Sequence, residues 1–264
     1  MFRGCTSLTT APTLQATTLA ASCYYAMFQD CTSLTAAPTL PATTLEQNCY
    51  YGMFSGCTSL TTAPALQATT LAASCYNNMF KGCTSLKIGP DIKATATASG
   101  SLVSMFNGCT SLCMITTNMS TVTSTHMASW VVNVSPTGDF FNLGGATFAT
   151  GNSGIPTGWT EHMFRIKDTV LTPATGTEYS VTANVEWSPS LTWTSADIII
   201  SDSDSGAGTR SATLTFTPGE VVNGVLTPAN NIDINFQDPD TWFELIVYNN
   251  GTVVDTQYVS YTTL

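Results

Sequence analysis

Two stretches of sequence decide the fold of the first half of the chain: MFRGCTSLTTAPTLQATTLAASCYYA at residues 1–26 and MFSGCTSLTTAPALQATTLAASCYNN at residues 53–78. They agree at 22 of 26 positions, a similarity that chance cannot supply. The Met-Phe pair that opens each stretch recurs every 26 residues, at Met1, Met27, Met53, Met79 and Met105. The chain therefore begins with five copies of one 26-residue unit.

Each unit predicts a helical segment. Within residues 17–28, Leu19, Cys23 and Met27 are spaced by four, which places side chains on one face of a helix. We expect that face to point inward. The next position is glycine in four units and Asp30 in the other, and both residue types accept the left-handed backbone of a helix C-terminal cap.

An extended segment follows the cap and runs from Leu8 to Ala11 in the first unit. It ends at a proline that recurs at the same place, in Pro12, Pro38, Pro64 and Pro90. Copies of this segment, stacked side by side, predict a parallel β ladder. The predicted fold of residues 1–130 is therefore a leucine-rich-repeat α/β solenoid of five units, and residues 131–160 are predicted to close it.

All nine cysteines lie in the repeat half, between Cys5 and Cys113. Most of them fall in two columns, which are Cys5, Cys31, Cys57, Cys83 and Cys109, and Cys23, Cys49 and Cys75. Such columns can hold metal ligands or buried spacers. Zinc sites usually contain clustered pairs such as C-x-x-C, which this sequence lacks, so buried packing is the favoured interpretation.

The motif M-F-x-G-C-T-S-L with a 26-residue period resembles the BspA-like leucine-rich repeats of bacterial surface proteins, found in gut Bacteroidetes and in phages that infect them. The resemblance covers about residues 1–160. It implies adhesion to host or matrix components and carries no catalytic residues with it. It differs at the start, where Met1-Phe2 falls on the repeat register and leaves no N-terminal cap, so we expect Phe2 and Leu8 to need cover from another chain, a second copy or upstream residues.

The second half of the chain, residues 161–264, has a different character. It holds three basic and thirteen acidic side chains, whereas residues 1–160 hold four of each. Short alternating segments predict an all-β, immunoglobulin-like sandwich, and Asn249-Asn250-Gly251 predicts a hairpin turn. The predicted strands are 179–187, 191–200, 210–217, 232–236, 242–248 and 253–261.

Positions that vary between units are the candidates for partner binding, because a recognition surface varies while a core does not. One column is always polar and never the same, and comprises Arg3, Gln29, Ser55, Lys81 and Asn107. A second column lies on the predicted strand and comprises Thr9, Thr35, Thr61 and Lys87. Solvated surface without a ligand is the alternative for both columns.

The second half offers two further candidate sites. Asp202 and Asp204, in the stretch Asp202-Ser203-Asp204-Ser205-Gly206, partly match a calcium loop but lack its distal glutamate, so a solvated hairpin loop is the alternative. Trp187, Trp193 and Trp242 are candidates for stacking on sugar rings, against the alternative that they pack in a core.

Several functions are disfavoured by the sequence. His126 and His162 belong to no recognisable nucleophile motif, and no phosphate-binding glycine loop occurs, so we expect no enzyme activity and no cofactor. The formal net charge of −10 without a basic cluster argues against nucleic-acid binding. The sequence contains no apolar run of about 18 residues, so it predicts no membrane span. No apolar segment of a signal peptide follows Met1.

These observations favour a structural or adhesion protein that uses both halves for protein contact or host-surface attachment. We expect its place to be outside the cell, on a bacterial surface or a phage particle. The alternative is a glycan-binding module of a bacterial surface protein. Exposed aromatic side chains lining a groove would favour the alternative.

Overall fold

The computed structural model describes residues 2–173, 178–204, 208–218, 221–222, 225–226, 232–233 and 241–261. The chain divides into two compact units, Met1–Glu161 and His162–Leu264. The first unit is called the repeat stack below, because its 26-residue copies lie one upon another.

Equivalent extended segments of the repeat stack pair in parallel, as the sequence predicts. Single parallel bridges join Thr10 to Ala36, Ala36 to Thr62 and Thr62 to Ile88. From that point the pairing lengthens into a four-stranded sheet with the order β1-β2-β3-β4, and the pairs β1-β2 and β2-β3 are parallel. Its strands are β1 (Ile88–Ile92), β2 (Met114–Thr117), β3 (Gly138–Asn142) and β4 (Trp159–His162).

The predicted helix over residues 17–28 is wrong. Residues 21–28 and most of their copies form consecutive turns, and the described residues include no α-helix. A 3₁₀ helix occurs at Ser124–Met127. The backbone N–H groups alternate in their partners. That of Ala26 donates to the carbonyl of Tyr51 in the next unit, whereas that of Met27 donates to the carbonyl of Tyr24, three residues earlier. Half of the donors in this segment therefore bind the neighbouring unit, where a helix would satisfy them internally.

A left-handed residue at every fourth position is what prevents a helix here. Asn48, Gly52 and Gly56 have φ values of 57°, 57° and 76°, and a right-handed helix needs negative φ throughout. The first copy repeats this at Ser22, Ala26 and Asp30 and adds Tyr24 with φ of 60°. The left-handed geometry predicted for Asp30 is thus confirmed, although it does not cap a helix. Of the predicted inward face, Leu19 is buried and Cys23 and Met27 are half-buried in the first turn. Their copies Leu45, Cys49 and Met53 are all buried, so an inward face at this spacing is confirmed for the second copy.

Columns of identical side chains form the core of the repeat stack. Phe28, Phe54, Phe80 and Phe106 have no exposed surface, and with Phe2 they stack at centroid distances of 5.6 to 5.8 Å with planes within 12° of parallel. Leucine, methionine and cysteine columns pack around them.

The repetition continues into the predicted closing segment at a shorter period. The N–H of Gly108 donates to the carbonyl of Val132, 24 residues on, whereas earlier units use a separation of 25. Trp130 and Asn133 therefore stand where Met105 and Gly108 stood, and Asn133 repeats the left-handed backbone with φ of 55°. The buried ring of Trp130 lies 5.9 Å from that of Phe106 and ends the parallel stacking, because the two planes are tilted by 54°.

The second unit contains two antiparallel sheets. In the first sheet the strand order is β11-β6-β10-β9, and β5 also pairs with β6. In the second sheet the order is β13-β12-β7-β8. Their strands are β5 (Phe164–Pro173), β6 (Glu178–Trp187), β7 (Ser195–Asp204), β8 (Gly208–Phe216), β9 (Val221–Val222), β10 (Val225–Leu226), β11 (Ile232–Asp233), β12 (Thr241–Asn249) and β13 (Thr252–Tyr261).

The predicted hairpin turn lies between β12 and β13. Asn250 and Gly251 have φ values of 48° and 80°, which is the geometry that an Asn-Gly pair accepts in a tight turn. The strand β5 was not predicted, although its pairing with β6 is extensive. The described residues of the second unit lie mainly in antiparallel strands, so the β-rich character predicted for this unit is confirmed.

Candidate functional site

A groove on the repeat stack brings together four of the five side chains in the variable column. It has a volume of about 280 Å³, and Arg3, Gln29, Ser55 and Lys81 are among the residues that line it. Arg3 and Lys81 are exposed, and Gln29 and Ser55 are half-buried. Asn107, the fifth member of the column, does not line the groove.

Two tyrosines also line the groove, and their stacked rings are called the tyrosine wall below. The rings of Tyr25 and Tyr51 stack at a centroid distance of 4.8 Å with planes 7° apart. The side chain of Asn78 donates a hydrogen bond to the Tyr51 hydroxyl at 3.0 Å and another to Asn77 Oδ1 at 2.6 Å. Tyr51 is thereby held on one side by a ring and at its hydroxyl by an amide.

A third set of lining residues lies between these two columns in the sequence and is called the floor of the groove below. Ala26, Gly52 and Asn78 occupy one column of the repeat, and all three have left-handed backbones, with φ of 49°, 57° and 55°. A Cβ atom added at Gly52 would meet no atom within 4 Å, so the space above it is open. Asn78, the largest of the three, stands at the end of the column nearest Lys81.

The two tyrosines of this wall were missed by sequence reasoning. The signal was available: the pair Tyr24-Tyr25 recurs as Tyr50-Tyr51 and then becomes Tyr76-Asn77. The first tyrosine of each pair is a core residue, and Tyr50 and Tyr76 are almost wholly buried. The second tyrosine therefore varies as a surface position does.

The predicted strand column lies apart from the groove. Thr9, Thr35, Thr61 and Lys87 are all exposed, and none of them lines the groove. They follow the parallel ladder, where the hydroxyl of Thr61 donates to the carbonyl of Thr35 at 3.2 Å. The structure thus separates the two predicted binding columns.

The first turn of the stack differs from its copies in burial. Phe2 and Leu8 are half-buried, whereas Phe28 and Leu34 have no exposed surface. The ring of Phe2 packs on that of Phe28 at 5.6 Å.

The tryptophans of the second unit pack mainly on other aromatic rings. Trp187 and Trp193 are half-buried and stack at 4.9 Å with planes 6° apart, and the ring of Phe164 lies 5.5 Å from Trp187. The indole nitrogen of Trp187 is buried without a hydrogen-bond partner. Trp242 lies in β12, but its side chain is outside the described part of the structure.

The calcium candidates Asp202 and Asp204 end strand β7. They pair with Arg210 and Gly208 of β8, and both of their side chains, as well as residues 205–207, lie outside the described part of the structure. Among the side chains that are described, no group of three His, Cys, Asp or Glu residues is placed to hold a metal ion.

Apart from Cys5, which is exposed, and Cys23, which is half-buried, the cysteines of the two columns are buried. The thiols of Cys31, Cys57, Cys83 and Cys109 each donate to a phenylalanine carbonyl 29 residues earlier, at 2.9 to 3.1 Å. Burial, with a smaller contribution from the neighbouring cysteine, raises the pKa of Cys57 and Cys75 to about 12. Burial also raises the pKa of Cys109 to about 12. These thiols are therefore protonated packing groups at neutral pH.

The two histidines lie in different surroundings. His126 Nδ1 is 3.2 Å from the Thr97 hydroxyl on the repeat stack. In the second unit, the buried His162 Nδ1 is 3.0 Å from Asp255 Oδ1, and Asp255 Oδ2 also accepts a hydrogen bond from the Met163 backbone. Each histidine thus has a polar partner within its own unit.

Comparison of the chain with known protein families, with curated proteins and with solved structures finds no match. The described residues include no helix with the length and apolar character needed to cross a lipid bilayer.

Proposed function

We propose that this chain is a non-enzymatic structural or adhesion protein, placed outside the cell on a bacterial surface or a phage particle. In this proposal the repeat stack is a leucine-rich-repeat solenoid of the BspA-like kind, and the second unit is an immunoglobulin-like β-sandwich. The proposed role of the repeat stack is attachment to a partner protein or to a host surface.

The groove between the variable column and the two tyrosines is the observation that carries this proposal. Its border changes from Arg3 to Gln29, Ser55 and Lys81, while the phenylalanine and cysteine positions a few residues away stay constant. The constant residues fix the turns through ring stacking and hydrogen bonds. Varied side chains on a rigid support are the arrangement that recognition surfaces of repeat proteins use.

Glycan binding is the second candidate function, and one observation favours it. Tyr25 is 45% exposed and its ring is held in place by Tyr51. An exposed, fixed aromatic ring beside hydrogen-bonding side chains is suited to an apolar sugar face and its hydroxyl groups. Trp187, which packs on two rings, is less suited to that role.

An adhesion assay tests the proposal. Beads coated with the full chain would be applied to a panel of gut Bacteroidetes strains and to cultured epithelial cells, untreated, protease-treated or periodate-oxidised. We expect adhesion that falls when Tyr25→Ala or Gln29→Ala is introduced in the groove. Thr35→Ala is the matched control, because Thr35 is exposed, as Tyr25 is, but belongs to the strand column.

The treatments separate the two candidate functions. Adhesion lost after protease treatment indicates a protein partner, and adhesion lost after periodate indicates a glycan. If no cell type in the panel retains the beads, the adhesion role is contradicted. If Thr35→Ala abolishes adhesion and the groove variants do not, the recognition surface is the strand column.

A further inference from the structure

We infer that the groove on the repeat stack binds a segment of an anionic polysaccharide, with sugar rings against the tyrosine wall and carboxylates toward Arg3 and Lys81. This inference rests on the proposed attachment function and names the chemical class of its ligand. It places the glycan site on the first unit of the chain and not on the tryptophans of the second.

The tyrosine wall supplies the surface for the sugar rings. Tyr25 stacks on Tyr51 at 4.8 Å, so its ring is ordered before any ligand arrives. A ring that is already ordered loses little side-chain entropy on binding. Its 45% exposure leaves aromatic surface for the C–H groups of a sugar ring.

Polar groups suited to sugar hydroxyls surround this wall. The hydroxyl oxygen of Tyr51 accepts a hydrogen bond from Asn78 Nδ2, so its own O–H can donate elsewhere. Gln29 and Ser55 line the same groove, and each offers both a donor and an acceptor. Saccharides carry hydroxyl groups that need both kinds of partner.

The charges along the groove favour an anion. Arg3 and Lys81 stand three turns apart, about 14 Å at about 4.8 Å per hydrogen-bonded turn. None of the nine residues that line the groove is acidic, in a protein whose net charge is −10. Asp30 lies in the adjoining column against Gly56 and not in the lining. A cationic groove on an acidic protein selects anionic ligands locally.

The shape of the groove favours a chain over a compact ligand. The groove crosses consecutive turns over a floor of Ala26 and Gly52, and the space above Gly52 is open. The two cations lie toward opposite ends of this floor. A linear polymer with an acidic group on each sugar would meet both cations at once.

Titration of the full chain with oligogalacturonate tests the inference, with the carboxyl-reduced form of the same oligomer as the uncharged control ligand. Calorimetry would measure the Kd of each at low and high salt. We expect binding of the anionic oligomer that weakens as salt rises, and binding of the reduced oligomer that is at least about tenfold weaker.

Variants assign the binding to the groove. We expect Tyr25→Ala to weaken binding about fivefold to tenfold, and the pair Arg3→Gln with Lys81→Gln to remove the salt dependence. Gly52→Asn should fill the space above the floor and weaken binding. The fold is expected to tolerate this substitution, because Asn78 occupies the same column with the same left-handed backbone. Lys93→Gln is the matched control, because Lys93 is a cation of the repeat stack that bonds Gln67 outside the groove.

Each outcome decides one point. Equal affinity for the anionic and the carboxyl-reduced oligomer would show that the charges play no part. If all the groove variants bind the anionic oligomer as tightly as the unmodified chain does, the binding site is not in the groove. Tighter binding of a polyglutamate peptide would replace the glycan by an acidic peptide as the ligand. If no oligomer binds while bead adhesion still depends on Tyr25, the ligand class is wrong and the attachment function stands.

Discussion

The thiol of Cys57 donates a hydrogen bond to the carbonyl oxygen of Phe28 in the preceding turn, with 3.1 Å between the sulfur and the oxygen. The same carbonyl accepts the backbone N–H of Cys31 within its own turn, at 3.1 Å. Phe28 is thus tied to two turns through one oxygen. The relationship recurs at Cys83 with Phe54 and at Cys109 with Phe80.

Removing one of these thiols should therefore destabilise the repeat stack. For Cys57→Ala we expect the free energy of unfolding to fall by about 1–3 kcal/mol, from lost packing and a lost donor. Cys5→Ala is the control, because Cys5 occupies the same column but is exposed, and its loss should stay within about 0.5 kcal/mol. Urea denaturation measures both values.

A serine at the same position separates the hydrogen bond from the packing. In Cys57→Ser the hydroxyl can donate to the same carbonyl, so we expect part of the loss to be recovered. A serine variant no more stable than the alanine variant would show that the thiol acts by packing alone.

The stability of the repeat stack should fall at alkaline pH. Burial raises the pKa of Cys57, Cys75 and Cys109 from 9.0 to about 12. In the unfolded chain these thiols lose their protons near their ordinary pKa of 9.0, so above it the unfolded state binds fewer protons than the folded state. Their contribution is complete below that pH and is lost progressively as pH rises toward about 12.

Between these two pKa values each thiol is expected to lower the free energy of unfolding by up to about 1.4 kcal/mol per pH unit. Urea denaturation at about pH 7.5 and about pH 10 measures it, and Cys57→Ala should reduce the difference by the share of one thiol. Burial also raises the pKa of Tyr50 and Tyr76 above their ordinary 10.0, so near pH 10 these tyrosines add a smaller loss of the same sign, and the Cys57→Ala difference isolates the share of one thiol. A difference that Cys57→Ala leaves unchanged would assign the effect to other groups.

Removing a ring from the middle of the phenylalanine column should lower the free energy of unfolding far more than removing the ring of its first member, Phe2. Phe54 packs between the rings of Phe28 and Phe80, at 5.7 Å from each, and has no exposed surface. Phe54→Ala is therefore expected to lower the free energy of unfolding by about 3–5 kcal/mol. Phe2→Ala should cost less, because Phe2 is half-buried. Thermal unfolding followed by circular dichroism compares them, and equal losses would contradict the stacking account.

Gly144 should not tolerate a side chain. A Cβ atom there would collide with the backbone of Asn118 and Met119, which cannot move as a side-chain tip can. We expect Gly144→Ala to destabilise the repeat stack by more than about 2 kcal/mol. Gly89→Ala is the matched control, because its Cβ atom would have its closest contact at 3.3 Å. Denaturant midpoints that are alike would show that the backbone near Gly144 can shift.

Side-chain columns were predictable from the sequence, because an exact repeat must place identical residues in contact. The parallel ladder through Thr10 and Ala36 follows from this alone. The helix was wrongly predicted because helices and successive turns with a left-handed residue every fourth position share the spacing of Leu19, Cys23 and Met27. The glycine at position 52, inside the expected helix, was the contrary signal.

The groove was predictable in part. Variation identified Arg3, Gln29, Ser55 and Lys81, since surface positions drift while core positions do not. The tyrosine wall could not be assigned in the same way, because facing walls on consecutive turns depend on the turn geometry and not on residue spacing. In the second unit, β5 was missed because its alternation of apolar and polar residues, which begins at Phe164, is interrupted after Ile166, where the pairing with β6 shifts register.

The alternation of hydrogen-bond donors between one turn and the next has a consequence for how such a chain can change in length. The backbone N–H of Ala26 donates to the carbonyl of Tyr51, and that of Gly52 donates to the carbonyl of Asn77. Each turn therefore presents the same set of backbone donors and acceptors to its successor. Insertion or loss of one whole copy would leave every remaining pair in register, whereas a change of one residue would shift all of them. Gene duplication can therefore lengthen the molecule in steps of one turn, and each added copy supplies one more variable position on which new recognition can evolve.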